Sequence, residues 1–318
     1  MSRVTHKKKK APEYDVLPLK KDFKRHWRVY VIFIPVAVYF ILFNYLPMFG
    51  IVMAFQDFKI SRGFFGSEWV GLANFRELFR GATFGLVMRN TVAMALLNLT
   101  FGYISPVILA LILSEVKWER FRRLTSVISY IPHFIAAVVV AQLTKEFLGR
   151  SGAITSFLSL FGLPEQNWLA NGDIPVFWII NTCIGIWAGA GYGSKIYVAA
   201  ISNVSGDLHE AAAIDGAGRL RRMISITLPC IMPMIVMMFT LRIGMVFVTG
   251  FDKILLLYMP TTYDTADMLT TYTYRMAFGA QTNYGLSAAS GLFQSVVGTA
   301  LLLFSNWLSK KVTDSSLF

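Results

Sequence analysis

Glu210 and Asp215 are two acidic residues in the run whose types and spacing carry the most information in this chain. They stand in the run Glu210-Ala-Ala-Ala-Ile-Asp215-Gly216-Ala217-Gly218-Arg-Leu-Arg-Arg-Met-Ile-Ser-Ile226-Thr-Leu228-Pro229-Cys-Ile-Met-Pro233. Ala211, Ala212 and Ala213 favour a helix and carry almost no side chain, so another protein surface can approach their backbone. Glu210, on such a helix, can take charge-assisted hydrogen bonds from a partner. Asp215 has two readings, contact with that partner or satisfaction of local backbone donors. Gly216 suits the left-handed conformation that ends a helix, and Pro229 needs no backbone donor in the first turn of the next one. Arg219, Arg221 and Arg222 form a basic stretch between them.

Residue types for other chemistry are scattered. His6, His26, His133 and His209 form no ligand pattern, and Cys183 and Cys230 read as small packing residues. No G-x-x-x-x-G-K-[S/T] phosphate loop occurs, and Gly193-Ser-Lys195 lacks its spacing. The chain is therefore expected to have no catalytic residues, no metal and no cofactor of its own.

The elements that must position the Glu210 run are membrane helices. The chain has 318 residues, 55% hydrophobic and only 15% charged. A bilayer core of about 30 Å needs roughly 20 apolar residues per helix. Residues 29–56, 91–114, 124–144, 174–194 and 276–309 contain no Asp, Glu, Lys or Arg, and 223–251 contain only Arg242. These predict an all-α integral membrane protein with six spans, at about 29–49, 90–113, 124–147, 174–193, 231–249 and 284–308. A basic tail over 1–28 precedes them, the long loop 195–229 joins the fourth and fifth, and a short tail over 311–318 follows. The first apolar stretch is too long for a signal-peptide core and has no small-residue cleavage site after it, so it is read as a retained helix.

The net charge of +12 suggests nucleic acid until its placement is considered. Lys7 to Lys10, Lys117, Arg120, Arg122, Arg123, Lys195, Arg219, Arg221, Arg222, Lys310 and Lys311 all fall on one side of the predicted spans. The positive-inside rule then puts both termini in the cytoplasm and argues for a membrane rather than nucleic acid; the basic tail is either a solvated topology signal or lies against membrane lipid. In the fourth span Gly185, Gly189 and Gly193 recur every four residues, a spacing that permits close helix approach. Pro132 falls inside the third span, and Pro35 and Pro47 are expected to kink the first and mark its end. Polar groups inside spans are costly and mark candidate pathways: Asn98, Gln142, Asn181, Arg242 and Gln294.

Glu210, Ala211, Ala212, Asp215, Gly216, Ala217, Ile226, Leu228, Pro229 and Pro233 together resemble the signature of the membrane subunits of binding-protein-dependent ABC importers. Met223 stands where that family often has Phe, a swap of one bulky apolar residue for another. Val70-Gly-Leu-Ala-Asn-Phe75 with Asn90-Thr91 is similar to sugar-type permeases of the family. Tyr45-Leu-Pro47, Ser129-Tyr-Ile-Pro-His-Phe134 and Gly250-Phe-Asp-Lys-Ile-Leu-Leu-Leu-Tyr258 resemble its oligosaccharide and polysaccharide branch. The resemblance covers nearly all of 29–310. It implies a type I importer transmembrane domain in the bacterial inner (plasma) membrane. It also implies a heterodimer with a second permease, two separate ATPases carrying ATP and Mg, and an extracytoplasmic solute-binding protein. The Glu210 helix would be the coupling helix to the ATPase, with Ala211, Ala212, Asp215, Gly216, Ala217, Leu228 and Pro229 shaping it. Arg242, about 13 residues and roughly 20 Å beyond Pro229, either meets an acidic sugar or pairs with a carboxylate or carbonyl of a neighbouring span. Trp187 and Tyr192 either stack on sugar rings or serve as packing and interface anchors. A secondary transporter or channel is the rival class. It has no need of the Glu210 run.

Overall fold

The computed structural model describes residues 18–247 and 250–313. The expected basic tail up to residue 17 and the end of the C-terminal tail lie outside the described residues. The chain divides into two compact units, one ending at Ile51 and the other beginning at Val52.

The first unit is helical. α1 (Leu19–Phe40) runs into a π-turn over Ile41–Tyr45 and a 3-10 segment over Leu46–Phe55. Residues Lys21–Phe55 are long and apolar enough to cross a membrane. Near its start Asp22 accepts hydrogen bonds from His26 Nδ1 at 2.8 Å and Tyr30 Oη at 2.5 Å, beside a local bend at His26. Pro47 does not mark the end of the helix as expected, and the reason recurs along the chain. A π-turn stands just upstream of Pro47, another (Asn98–Gly102) upstream of Pro106, and a third (Met223–Thr227) directly before Pro229. Proline lacks an N–H and crowds the carbonyl four residues back. A π-turn widens the helix there and lets it continue. At the second site the Gly102 carbonyl, which Pro106 cannot serve, accepts from Ser105 Oγ at 3.3 Å.

The second unit opens with a short antiparallel hairpin, β1 (Gln56–Asp57) and β2 (Glu68–Trp69), around the one-turn helix α2 (Gly63–Gly66). α3 (Ala73–Arg80) follows. α4 (Ala82–Leu97), the π-turn and α5 (Tyr103–Glu115) make one long apolar helix over Ala82–Glu115. It begins well before the predicted Asn90. Next come α6 (Glu119–Tyr130), a 3-10 turn over Ile131–Phe134, α7 (Ala137–Leu148) and α8 (Ala153–Ser159). The predicted straight third span is broken here: the stretches on either side of the Ile135–Ala136 break meet at 99°. Pro132 stands in the 3-10 turn, and Ile135 and Ala136 are extended (ψ 128° and 141°), so the ladder stops and restarts.

α9 (Val176–Ser202) carries the fourth span and runs past Gly193 to Ser202, taking in Lys195 and the first part of the predicted loop. α10 (Gly206–Ile214) and α11 (Arg219–Arg222) follow. The basic stretch is not a separate loop helix. α11, the π-turn and α12 (Leu228–Gly244) form one helix over Arg219–Gly244, and Pro229 lies inside it. The predicted outer loop 250–283 is largely helical: α13 (Phe251–Leu257), α14 (Tyr263–Ala266) and α15 (Leu269–Phe278). α16 (Tyr284–Thr313) ends the described chain. Among the described residues five helices are long and apolar enough to span, and six if the bent pair counts as one span.

Two apolar clusters hold this unit. One joins Met94, Ala141, Leu169, Phe177, Ile254 and Leu257. The other joins Val107, Ala110 and Leu111 of α5 to Tyr197 of α9 and Ile231 of α12. Their polar counterpart is a relay: Tyr197 Oη donates to Tyr103 Oη at 3.2 Å, and Tyr103 Oη donates to the Ile235 carbonyl. Among the described glycines the tightest is Gly191, outside the four-residue glycine series. A Cβ there would sit 1.9 Å from the Ser129 carbonyl oxygen. Of the predicted glycines, Gly193 lies against Pro106, Gly185 against Lys253, and Gly189 has nothing within 4 Å. Cys183 and Cys230, expected as packing residues, are exposed.

Candidate coupling loop and intramembrane charge site

α10 is a well-terminated helix offered to solvent. Ser205 caps its start, accepting from the Asp207 N–H at 3.3 Å. At its end Gly216 takes φ +76°, the Ala217 N–H reaches the Ala212 carbonyl at 2.9 Å and the Gly216 N–H the Ala213 carbonyl at 3.1 Å. That pair of bonds is a Schellman closure. Arg222 Nη1 then donates to the His209 carbonyl at 3.3 Å and ties α11 back to α10. Glu210, Ala211, Ala213 and Asp215 are exposed, and Ala212, Ala217 and Leu228 are half-buried. Among the described residues neither the Glu210 nor the Asp215 carboxylate has a hydrogen-bond or ion-pair partner. The local-donor reading of Asp215 is thus not what the geometry displays: the glycine turn closes on backbone bonds alone. Ile214, which the alanine pattern did not single out, is 87% exposed beside them. The loop presents one apolar and two anionic side chains on a rigid, closed turn of helix.

The predicted pathway residues separate into two groups. Asn98, Asn181 and Arg242 come together around a cavity of about 130 Å³, with Gly102, Thr182, Gly185, Gly250 and Lys253. Arg242 Nη2 donates to Asn98 Oδ1 at 2.5 Å, across from α12 to the π-turn of the second span. Arg242 therefore pairs with a carbonyl of a neighbouring span, the side-chain amide oxygen of Asn98. Lys253 Nζ, from α13, donates to the Asn181 carbonyl at 2.8 Å. Two glycines make room for these groups. A Cβ at Gly102 would stand 2.8 Å from Asn98 Oδ1, and one at Gly185 would stand 3.4 Å from Lys253 Nζ. Lys253 follows the predicted fifth span in sequence, and only the fold turns α13 back against α7 and α9. Its sole signal in the sequence was its place within Gly250–Tyr258.

Gln142, Gln294 and Trp187 lie elsewhere. Gln142 Nε2 bonds Glu146 Oε1 at 2.8 Å on the exposed face of α7. Gln294 is buried and donates to Thr273 Oγ1 at 2.9 Å, which ties α16 to α15. Trp187 is exposed and stands about 200° around α9 from Gly185, on the opposite side of that helix. Tyr192 does share the Gly185 face, stacked on His133 at 4.0 Å and 8°. On the outer segment Asp267, 2% exposed, binds Arg275 Nη2 at 2.5 Å and Thr271 Oγ1 at 2.7 Å. Burial opposes the Arg275 charge, but the Asp267 hydrogen bond and charge outweigh it and hold its pKa above the usual value. Asn90 Nδ2 and Trp178 Nε1 bind carbonyls of this segment at 3.0 and 2.7 Å, fastening it to the second and fourth spans.

A multi-pass helical bundle with a capped inner helix and cations between its spans defines a membrane transport domain of the importer type. The profile described as "Binding-protein-dependent transport system inner membrane component" matches residues 102–314, and the chain belongs to this family. It is a multi-pass permease of the bacterial inner membrane, and ATP hydrolysis belongs to separate subunits. The chain is 37% identical to the polygalacturonan/rhamnogalacturonan transport system permease protein YteP of Bacillus subtilis (strain 168), over 97% of this chain and 98% of that protein. It is also 37% identical to Protein LplB of the same organism, over 93% and 92%. Among solved structures it matches a bacterial ABC transporter involved in the import of the acidic polysaccharide alginate. The TM-score is 0.85 at 38% identity, covering 93% of this chain and 99% of that one. It also matches a bacterial alginate ABC transporter in complex with alginate pentasaccharide-bound periplasmic protein. There the TM-score is 0.86 at 37% identity, covering 94% and 99%.

Proposed function

We propose that this chain forms half of the membrane path for an acidic oligosaccharide of the polygalacturonan or alginate kind. The other half is a second, related permease. Two ATPases holding ATP and Mg drive the pair from inside, and a solute-binding protein delivers the sugar from outside. The observation that carries the reading is the meeting of Arg242 and Lys253 at one cavity between the spans. Cations drawn partly out of water between packed helices are costly, so their retention points to a charged cargo. The cavity of about 130 Å³ is smaller than the roughly 300 Å³ at which ligand pockets begin. It admits a carboxylate, not a sugar ring. The acidic relatives support the sign of the charge.

Coupling follows from α10. Seated in a groove on the ATPase, the helix would be anchored by Glu210 and Ile214. Closure of the ATPase pair would move it, and with it the helix Arg219–Gly244 that starts two residues after Ala217. The spans then exchange inward-open and outward-open packings as rigid bodies.

The test is reconstitution of the whole transporter in proteoliposomes with its binding protein. ATP hydrolysis and uptake should rise with oligogalacturonate and not with a neutral galactan of equal length. Arg242→Gln should reduce uptake of the acidic sugar by about tenfold or more, the worth of one charge-assisted bond. Equal stimulation by the neutral sugar would refute the reading.

A further inference from the structure

Arg242 and Lys253 each have described hydrogen-bond partners, and all of them are neutral: the Asn98 amide oxygen and the Asn181 backbone carbonyl. Among the described residues no carboxylate forms an ion pair with either cation. Asp252, the nearest acid in sequence to Lys253, is exposed. Two like charges therefore line one small cavity, and among the described residues no carboxylate is paired with either. A desolvated charge is tolerated when it is paired and hydrogen-bonded, and two of one sign raise the cost of each other. Each cation has donors left over, since an ammonium carries three and a guanidinium five.

We infer that this cavity is a resident site for a small monovalent anion, chloride being the abundant one, which sits between Arg242 and Lys253 and offsets one of their two charges whenever no acidic sugar is present. The volume suits it. At about 30 Å³ per water, a cavity of about 130 Å³ holds one such ion and two or three waters. Asn181, which also lines the cavity, has a buried Oδ1 with no partner. A water beside the anion has two donors, one for the ion and one for that oxygen. Gly102 and Gly185 keep the space open, since a Cβ at either would press on Asn98 or Lys253. A carboxylate of the substrate would displace the ion, exchanging one monovalent anion for another at constant charge. The inference rests on the reading of this cavity as part of the path, but not on the identity of the cargo.

The experiment uses the whole transporter, with partner permease and ATPases, in nanodiscs without sugar. Chloride is titrated against gluconate at constant ionic strength, and the thermal unfolding midpoint is followed. Stabilisation by a ligand of the folded state saturates as the site fills, so the midpoint should rise with chloride and then level. Lys253→Met should weaken the apparent chloride affinity by about tenfold or more, while Arg150→Gln, an exposed cation far along the chain, should leave it unchanged. Wild-type protein keeps the test valid if Lys253→Met fails to assemble: bromide soaked into its crystals should give anomalous density beside Arg242 and Lys253. A wild-type midpoint that is the same in chloride and gluconate, or a chloride response untouched by Lys253→Met, overturns the inference. If chloride has no effect but oligogalacturonate still stimulates ATP hydrolysis, the anion site falls and the acidic cargo stands. If chloride stabilises but no acidic sugar stimulates, the cargo reading falls and the anion site stands.

Discussion

Gly191→Ala, set against Gly189→Ala two positions away on the same helix, separates packing from propensity. A Cβ at 191 would meet the Ser129 carbonyl oxygen at 1.9 Å, its carbon at 2.2 Å and the Tyr130 nitrogen at 2.6 Å. All three are backbone atoms, so no side chain can rotate away. Ordinary contact between heavy atoms is about 3.5 Å, which requires α6 to move off α9 by roughly 1.5 Å. Overpacking of this kind costs about 1–3 kcal/mol. The same shift would break the 2.8 Å bond from Lys195 Nζ to Ser126 Oγ, for about 1 kcal/mol more. Alanine recovers about 1 kcal/mol of helix propensity over glycine. The net expectation is a loss of about 1–3 kcal/mol for Gly191→Ala. Gly189 has nothing within 4 Å, so Gly189→Ala should be neutral or stabilising by up to about 1 kcal/mol. The assay is thermal unfolding of the purified complex in one detergent, read by tryptophan fluorescence. A Gly191→Ala midpoint at or above that of Gly189→Ala would refute the close α6–α9 approach. With it would go the placement of the broken third span.

Three further outcomes are expected. Glu210→Lys should insert normally and bind sugar-loaded binding protein, yet uncouple ATP hydrolysis from uptake; normal transport with the cognate ATPase would show that α10 is not anchored through Glu210. Gly216→Val should destabilise the loop by about 1–2 kcal/mol, because φ +76° is costly for a β-branched residue, and proteolysis between α10 and α11 should quicken; an unchanged cleavage rate would count against the Schellman closure. Asp267→Leu removes one partner of a pair whose carboxylate is 2% exposed, so it should cost about 3–5 kcal/mol; Arg275→Met together with it should recover most of the loss, and a double variant no better than the single one would show that the pair does not act as a unit.

Much of this was legible in the chain. Charge-free runs of about 20 residues announce membrane helices because a bilayer tolerates little else. The Glu210–Pro233 run was legible for a different reason: a docking helix is local, so its alanines, its glycine stop and its following basic residues stand in one stretch. Prolines misled in both directions. Pro47 was expected at a helix end and is passed by a π-turn just before it, whereas Pro229 does fall in the first turn of α12, with a π-turn joining that helix to α11. Pro132 was expected inside a span, and it stands where that span breaks. A proline removes one donor in every case; neighbouring residues decide whether the helix widens or stops.

Apolar length and the placement of Lys and Arg determined by themselves that the chain is a membrane bundle, and the residue spacing from Glu210 to Pro233 determined a short helix closed by a glycine turn, the helix proposed above to dock on the ATPase. Both properties depend on residues close in sequence. The charge site could not be reached that way. Asn98, Asn181, Arg242 and Lys253 come from four separate elements, and Asn98 and Lys253 are 155 positions apart in the numbering. Their meeting is decided by where α13 folds back, by the room left at Gly102 and Gly185, and by the pairing of α12 with the second span. Electrostatic neighbours are a property of distance in space, and only the tertiary structure supplies that distance.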